Sequence, residues 1–505
     1  MCRDSKLQIL HYCTMITTKQ NWHMKKSGLY LFALAFALFS CTHDLADKTD
    51  TPSVAVDRGI NIVQVTTHDG APFSTETGNP DDSGINPRAY SPGPGGGVMM
   101  QAFYWDPPAG GTWWGTVQSK TTAWANAGIE SIWLPPASKA QAGANSMGYD
   151  PTDYFDLGEY NQNGTVETRF GSKTELVNLI NAAHTQNMKV YADIVINHNS
   201  GGQLENNQYT GTQTWTNFGN VASGKFLRSQ HDFHPNWVQN NDEGYFGGFP
   251  DLSHGAPYVQ DWLYKRSDSV GKYYKNVIGF DGWRFDYVKG FGAWVVNDWN
   301  SHVGGFSVGE LWDSNVDYLN SWANQANSSV FDFACYYKMN DAFDGNNLSV
   351  LYDDMMWKRN PYKAVTFVAN HDTDEITNKM LAYAYILTHE GYPTIFYRDY
   401  EEWLNKERLN NLIWIHNNKA TGNTSILYAD NDEYVARRNG YNGPGLIVYL
   451  NNSNSWLERW VPTNWNSTQI KDFTGHSNWY PTTQGGGWVL IQCPPKSYTV
   501  WSPNI

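Results

Sequence analysis

Eight short apolar runs alternate with amphipathic stretches through the middle of the chain, and this alternation limits the possible folds more than any other feature. Strand-length apolar runs separated by helical patterns are typical of parallel sheets, in which a helix returns the chain to the start of the next strand. Eight such units predict an α/β fold of the (β/α)8 TIM barrel type. The predicted strands are 98–104, 129–134, 189–195, 278–286, 306–310, 330–333, 364–368 and 394–397.

Two segments depart from the barrel repeat. Residues 199–257, after the third strand, are too long for one helix and rich in Asn, Gly and aromatic residues, which predicts an irregular inserted subdomain. Residues 419–505 contain short β segments, which predict a C-terminal antiparallel β-sandwich domain. The catalytic barrel is then expected over 96–198 and 258–418.

The first 95 residues have the composition of an export signal and a tether. Two lysines precede an 11-residue apolar run from Leu29 to Phe39, which is too short to span a bilayer and is typical of a signal peptide. The run ends in Leu-Phe-Ser-Cys, which resembles a bacterial lipobox with Cys41 as the lipidated residue; ordinary secretion is the alternative. We therefore expect an N-terminal extension and signal peptide over 1–41 and a flexible tether over 42–95.

Charge and cysteine content exclude several classes of protein. The 505 residues carry a net charge of −14, which argues against nucleic acid or an anionic membrane surface as a partner. Five scattered cysteines are too few for a disulfide framework. Only Cys335 and Cys493 lie in the part expected to fold, and their pairing stays open. Aromatic residues make up 15% of the chain, which suits stacking on sugar rings but also suits a large α/β core.

The segment Gly279–Gly290 carries charges inside a strand-like apolar pattern. Arg284 and Asp286 are two residues apart, so on a strand they point to the same face. A cation beside a carboxylate favours the ionised form and lowers the carboxyl pKa, which suits a nucleophile. A structural ion pair closing the barrel explains this segment equally well when it is considered alone.

Other polar residues follow the ends of the predicted strands, where barrel enzymes carry their catalytic groups. These residues are Asn197, His198, Arg284, Asp286, Glu310, His371 and Asp372. Three carboxylates therefore converge on one barrel mouth, and paired carboxylates perform glycoside hydrolysis, in which one attacks and the other protonates the leaving oxygen. Because Leu311 and Trp312 follow Glu310, we expect Glu310 to have the raised pKa of the acid.

These segments resemble glycoside hydrolase family 13, the α-amylase family, and the nearest resemblance is to archaeal and plant-like α-amylases. The resemblance extends from about Gly96 to the C-terminus. The segments that match its signature regions are 193–198, 279–290, 306–312, 367–372 and Phe249-Pro-Asp-Leu252, supported by 132–138 and 148–158.

The resemblance implies roles for individual residues. Asp286 would be the nucleophile, Glu310 the general acid and then the base, and Asp372 the residue that holds sugar hydroxyls and distorts the ring. A retaining outcome follows, with the two main carboxyls about 5–5.5 Å apart. The substrate-binding residues it implies are Tyr149, as a stacking platform, together with His198, Arg284, Lys289 and His371.

The resemblance also implies a calcium ion, which takes hard oxygen ligands. Three of the five candidates lie in the insertion, so the ion would hold the insertion on the barrel. From the residues alone, Asn and Asp in loops are as well explained by turns. The candidates are the side chains of Asn197, Asp242 and Asp251 and the carbonyls of Gly244 and Gly290.

Archaeal relatives carry a neighbouring zinc ion held by two His and a Cys. His234 matches this pattern, but Gln239 and Ser253 occupy the other positions, which leaves a zinc site doubtful. His231 and His254 are interpreted as ordinary loop histidines. Calcium is therefore the cofactor that we expect.

Five tryptophans of the C-terminal region permit two interpretations. They could form a secondary starch-binding surface, or they could pack in the core, which is the interpretation favoured for most of them. The residues are Trp456, Trp460, Trp465, Trp479 and Trp488.

Together these patterns predict an exported, lipid-anchored and monomeric α-amylase that cleaves internal α-1,4 bonds of starch, glycogen or maltooligosaccharides with retention. One alternative is a maltooligosaccharide-forming amylase or another α-glucan-active enzyme on the same scaffold. The alternative of another class is a catalytically inactive starch-binding surface protein, which the presence of all three carboxylates disfavours.

Overall fold

The computed structural model describes residues 97–238, 246–373, 375–441 and 443–504. The predicted signal segment and tether lie outside these ranges. Among the described residues, no helix is both long enough and apolar enough to cross a bilayer.

Nineteen strands occur in the described part of the chain, and we number them in chain order. They are β1 Val98–Gln101, β2 Ile129–Leu134, β3 Lys139–Ala140, β4 Pro151–Asp153, β5 Lys189–Ile194, β6 Gln203–Asn207, β7 Thr212–Asn217, β8 Gly282–Phe285, β9 Phe306–Gly309, β10 Ser329–Phe331, β11 Ala364–Phe367, β12 Tyr392–Phe396, β13 Thr424–Ala429, β14 Glu433–Arg438, β15 Leu446–Asn451, β16 Leu457–Pro462, β17 Ile470–Asp472, β18 Trp488–Cys493 and β19 Ser497–Pro503.

The α-helices among the described residues are mostly short. They are Trp113–Gln118, Thr121–Ala127, Lys173–Thr185, Pro257–Gln260, Val270–Tyr273, Ala293–Val303, Val316–Gln325, Phe333–Phe343, Met356–Arg359, Lys379–Ile386 and Lys406–Lys419. Single turns of 3-10 or π geometry extend or join several of them, at Gly143–Asn145, Gln230–Asp232, Asp261–Lys265, Tyr274–Ile278, Val288–Gly290, Leu348–Tyr352 and Asp399–Trp403.

The eight parallel strands close into a barrel in the order β1-β12-β11-β10-β9-β8-β5-β2. Most residues of these strands are buried, because the barrel interior covers one face and the helices cover the other. The predicted (β/α)8 barrel and its C-terminal antiparallel domain are confirmed.

The fourth barrel strand is shorter than predicted, since β8 contains only four of the residues 278–286. Gly279 ends the preceding helical turn in a left-handed conformation with φ of 104°. The Asp281 carboxylate accepts hydrogen bonds from the Val190 N–H and from His184 Nε2. Asp286 therefore lies one residue beyond the strand, and its N–H donates to the Ile194 carbonyl.

Helix Lys173–Thr185 shows how the sequence forms the outer layer. Ser172 and Glu175 form a reciprocal capping box at its start, which satisfies backbone N–H groups that have no partner within the helix. The buried residues Leu176, Leu179, Ile180 and Ala183 follow helical spacing and turn one face toward the barrel.

The insertion after β5 contains the hairpin β6–β7 and the short turn Gln230–Asp232. It returns to the barrel through backbone hydrogen bonds beside the end of β5. The Leu252 N–H donates to the Asn197 carbonyl at 2.9 Å, and the Asn199 N–H donates to the Pro250 carbonyl at 3.0 Å.

The C-terminal domain is a five-stranded antiparallel sheet, β13-β14-β15-β19-β17, with the two-stranded sheet β16–β18 beside it. Residues on one face of the larger sheet, such as Tyr434 and Val448, join the hydrophobic core of the barrel. Residues on its other face, such as Ile447 and Trp501, form a second core with β16 and β18. Cys335 and Cys493 are both buried as free thiols.

Most of the C-terminal tryptophans do not pack in this core. Of the five tryptophans singled out from the sequence, only Trp465 is buried, with 9% of its surface exposed. The interpretation as core packing is therefore wrong for most of the set, because outward positions of β16 and β18 have no further layer above them. The exposed members are Trp456, Trp460, Trp479 and Trp488.

Candidate active site

Arg284 is the centre of the site at the barrel mouth. Its buried guanidinium lies 2.8 Å from Asp193 Oδ1, 2.7 Å from Asp286 Oδ1 and 2.6 Å from Glu310 Oε1. These residues belong to, or directly follow, the neighbouring strands β5, β8 and β9. One cation thus gathers three carboxyl groups that are distant in sequence.

The backbone fixes the two carboxyls that follow β8 and β9. The Glu310 N–H donates to the Phe285 carbonyl at 2.9 Å, and the Tyr287 N–H donates to Glu310 Oε2 at 3.1 Å. Tyr287 has a left-handed backbone, with φ of 46° and ψ of 50°, which is uncommon for a residue other than glycine. The turn after Asp286 therefore holds the Glu310 side chain through a main-chain donor.

The two carboxyls titrate differently. Burial raises the pKa of Glu310 to about 8, although Arg284 opposes the shift. Burial also raises the pKa of Asp286 to about 6, against the lowering by Arg284. We expected Arg284 to lower the pKa of Asp286, but the pKa is raised, so this expectation is wrong. Arg284 does lower it, but its charge is shared by three acids, and the desolvation of a fully buried carboxylate has the larger effect. Because of this difference, Glu310 still carries its proton at a pH where Asp286 is largely ionised, so Glu310 is the candidate general acid.

His371 and Asp372 follow β11 and face the same mouth. Gln101 Nε2 donates to His371 Nδ1 at 2.8 Å, so the ring proton of the neutral histidine is assigned to Nε2. His371 Nε2 lies 3.1 Å from Asp372 Oδ2. The charge of Asp372 raises the pKa of both Asp286 and Glu310, which places it within electrostatic range of the pair.

Three planar rings form one wall of the mouth. Tyr149 stacks on Trp105 with ring centroids 6.0 Å apart and on His371 at 5.3 Å. The Tyr149 hydroxyl donates to Asp193 Oδ2 at 2.8 Å. Such a wall can pack against the apolar face of a sugar ring while its polar edges stay hydrogen bonded.

Sequence reasoning did not assign Gln101, Trp105 and Asp193 a role in this site, although Asp193 begins the segment 193–198 that matches a signature region. Asp193 accepts hydrogen bonds from Arg284, from Tyr149 and from Trp133 Nε1, and burial raises its pKa to about 6. Trp105 lies shortly after β1 ends, so the strand-end argument applied to the first strand could have found it.

His198 and Lys289 have protein partners in this structure. His198 is fully buried, its Nε2–H donates to the Tyr149 carbonyl at 2.9 Å, and its ring stacks on Phe246. Burial lowers the pKa of His198 to about 4, so the ring is neutral at neutral pH. Lys289 Nζ lies 2.9 Å from Asp313 Oδ2 in a partly exposed pair. Sugar contacts by His198 and Lys289 stay predictions.

The described calcium candidates come together at the junction of barrel and insertion. The Asn197 amide oxygen lies so close to Gly290 that a Cβ on Gly290 would overlap it. His198, the next residue, forms an isolated antiparallel β-bridge with Asp251. Asp242 and Gly244 lie outside the described residues. The Asn197 amide oxygen, buried beside Gly290, is a hard donor of the kind that calcium takes.

Two of the residues considered beside a zinc site have protein partners in this structure. The Ser253 hydroxyl donates to Asn236 Oδ1, and His231 Nδ1 lies 2.7 Å from the Tyr209 hydroxyl. Within the described ranges, no three His, Cys, Asp or Glu residues are grouped as metal ligands. Gln239 lies outside those ranges.

Comparisons with known proteins agree with this architecture. Residues 446–502 match the family model described as α-amylase C-terminal. The chain is 30% identical to an α-amylase of Geobacillus stearothermophilus over 82% of this chain and 88% of that protein. It is 32% identical to a glucan 1,4-α-maltohexaosidase of a Bacillus species over 60% of this chain and 70% of that one.

One solved structure shows the similarity of fold. It is an α-amylase of Geobacillus thermoleovorans complexed with acarbose, with a TM-score of 0.62 and 18% identity over 81% of this chain and 98% of that one.

Proposed function

The chain belongs to the α-amylase family of glycoside hydrolases, and from this we propose that it hydrolyses internal α-1,4 bonds of starch and glycogen with retention of configuration. The observation that carries the mechanism is the pair of carboxyls on one guanidinium, Asp286 with a pKa of about 6 and Glu310 with a pKa of about 8. Near neutral pH the first is largely ionised and the second largely protonated, as a nucleophile and an acid require.

In the first step of the proposed mechanism, the Asp286 carboxylate attacks the anomeric carbon while Glu310 gives its proton to the glycosidic oxygen. The bond from carbon to the leaving oxygen breaks, and an ester bond to Asp286 forms. In the second step the Glu310 carboxylate takes a proton from water. The water oxygen attacks the anomeric carbon, and Asp286 leaves as a carboxylate. Two inversions at one carbon give retention.

Other residues position these groups. Arg284 and Asp193 fix the carboxylate geometry, and the rings of Trp105, Tyr149 and His371 offer a surface for the sugar. Calcium, when bound by Asn197, Asp251, Gly290 and their partners, would supply a charge that holds the insertion on the barrel.

The proposal predicts that Asp286→Asn abolishes starch hydrolysis, with a loss of about 10⁴-fold or more, because the amide cannot form the ester. The matched control is Asp281→Asn, which changes a carboxylate at the other end of β8, where it contacts His184. Reducing-sugar release and circular dichroism would be measured for both variants. Substantial turnover by Asp286→Asn with an intact fold would refute the nucleophile assignment.

A maltooligosaccharide-forming amylase is the second candidate, supported by the similarity to a maltohexaosidase. The product profile on soluble starch separates the two. Early mixtures of many chain lengths support internal cleavage, whereas one dominant oligosaccharide from the first minutes supports the second candidate. No turnover by the unmodified protein would leave the inactive starch-binding protein as the explanation.

From the sequence pattern of residues 1–41 we also propose export with lipid attachment at Cys41, and separately we propose that the protein is a monomer. Replacing Cys41 by Ser should move the protein from the membrane fraction to the soluble fraction, while Cys13→Ser should not. The assignment to the archaeal and plant-like subgroup stays a prediction, since the relatives named above are bacterial.

A further inference from the structure

The outward face of the two-stranded sheet β16–β18 carries two adjacent tryptophans. In the antiparallel register, Trp460 lies opposite Leu490 and Pro462 lies opposite Trp488. Diagonal neighbours in such a pair are about 7–8 Å apart, so the two indoles share one surface. Trp460 is 49% exposed and Trp488 is 47% exposed. We call this surface the tryptophan face, and its outward residues are Glu458, Trp460, Pro462, Trp488, Leu490 and Gln492.

Apolar side chains on the opposite side of β16 and β18 anchor the two strands in the C-terminal domain. Val461, Val489 and Ile491 are buried in the second core of the C-terminal domain. The sheet therefore does not need exposed tryptophans for its own folding. A single exposed apolar residue is ordinary on a protein surface, but two adjacent large rings on one flat face indicate a binding surface.

A neighbouring segment borders the tryptophan face and adds aromatic area. Gln492 Nε2 donates to Ser477 Oγ at 2.7 Å, and the Trp479 N–H donates to the same oxygen. Trp479 and Tyr480 are also exposed. Further exposed rings therefore lie near the Gln492 end of the tryptophan face.

The charge of the tryptophan face limits the ligand. Of its six outward residues only Glu458 is charged, and none is cationic. Arg459 points to the other side of β16, where it pairs with Glu433. A face without cations is unsuited to phosphate, nucleic acid or anionic lipid. Flat apolar rings beside an amide and a carboxylate suit a neutral ring that has an apolar face and hydroxyl groups at its edge.

We propose that the tryptophan face is a second binding site for α-glucan chains, separate from the barrel mouth. The inference rests on the proposed function, since a polymeric substrate offers further sugar rings to the same protein molecule. Binding at a second site raises the local concentration of substrate near the cleft without new contacts to the bond that is cleaved. The effect is expected on granular starch and not on short oligosaccharides.

The test compares the double variant Trp460→Ala, Trp488→Ala with the unmodified full-length protein. We expect adsorption to starch granules at 4 °C to weaken about tenfold or more, with unchanged kcat/KM on maltoheptaose. Trp414→Ala is the matched control, because Trp414 is 45% exposed on the helix Lys406–Lys419. The double variant Trp460→Tyr, Trp488→Tyr should retain adsorption, since tyrosine can also stack on a sugar.

The outcomes distinguish the second site from the proposed function. If the unmodified protein does not cleave maltoheptaose, the proposed function fails. If cleavage is normal and the alanine variant adsorbs as tightly as the unmodified protein, the second site is refuted. Light scattering tests whether a second copy of the protein occupies this face instead. If the unmodified protein is a dimer and the alanine substitutions dissociate it, the face serves self-association and the proposal is overturned.

Discussion

At the scale of residues, the site depends on how one guanidinium is shared. Arg284 contacts Asp193, Asp286 and Glu310, so its charge cannot fully compensate any one of them. Burial then determines the sign of each carboxyl pKa shift, and all three values are raised. A raised pKa suits the acid Glu310, and the ionised form of Asp286 is retained near neutrality.

This arrangement predicts a bell-shaped dependence of kcat/KM on pH. Activity needs Asp286 deprotonated, so it rises as pH increases through about 6, and it needs Glu310 protonated, so it falls as pH increases through about 8. Initial rates on maltoheptaose between pH 4 and 10 check this. Glu310→Gln should remove the alkaline limb from the residual activity. A profile of the unmodified protein that stays flat to pH 10 would contradict the assignment of the acid.

At the scale of elements, the insertion is attached to the barrel beside the end of β5. Leu252 and Pro250 form backbone hydrogen bonds with the segment that carries Asn197, and the turn that follows Asp286 brings Gly290 against the Asn197 side chain. The catalytic turn and the insertion therefore both contact the segment that carries Asn197. A cation at this point would couple the order of the insertion to that of the active site.

The coupling predicts that chelation destabilises the protein. We expect EDTA to lower the melting temperature by several degrees, because an ion bound only by the folded state stabilises it by mass action. Asp251→Asn should reduce this difference, whereas Asp268→Asn, which changes an exposed carboxylate paired with Arg266, should not. Scanning calorimetry with added calcium or EDTA measures the effect. Identical melting curves for the unmodified protein would argue against the ion.

At the scale of the whole molecule, the larger C-terminal sheet packs against other elements on both of its faces. One face completes the barrel core, and the other supports the β16–β18 sheet and its tryptophan face. Hydrogen bonds also join the barrel to the C-terminal domain. His389 Nε2 lies 2.9 Å from the Tyr434 hydroxyl, and Glu390 accepts a hydrogen bond from the Thr424 N–H. The two parts therefore share buried apolar and polar contacts.

This shared interior predicts that Tyr434→Phe destabilises the barrel together with the C-terminal domain. Loss of the hydroxyl leaves a buried histidine nitrogen without its partner, which costs about 1–3 kcal/mol. Tyr352→Phe is the control, because Tyr352 is exposed. Urea unfolding followed by fluorescence should show one transition shifted to lower urea for Tyr434→Phe. Two separated transitions in the unmodified protein would contradict a shared core.

The barrel was predictable from the chain pattern, because the alternation of apolar runs and helices is local and only a few folds can bury it. The chain pattern also placed Asp286 and Glu310 at the mouth, since their positions follow from where β8 and β9 end, whereas Gln101 and Trp105 were not selected. The length of β8 was less predictable, because Gly279 and Asp281 obtain their partners from other elements.

Properties that depend on residues distant in sequence were not predictable from local patterns. Asp193 and Arg284 are 91 residues apart, and their pairing, with the net pKa of Asp286, follows from burial that no local pattern contains. The exposure of Trp460 and Trp488 was likewise decided by which face of β16–β18 the larger sheet covers. Local chain patterns specify elements and their ends, whereas solvation and charge compensation depend on everything that packs around a group.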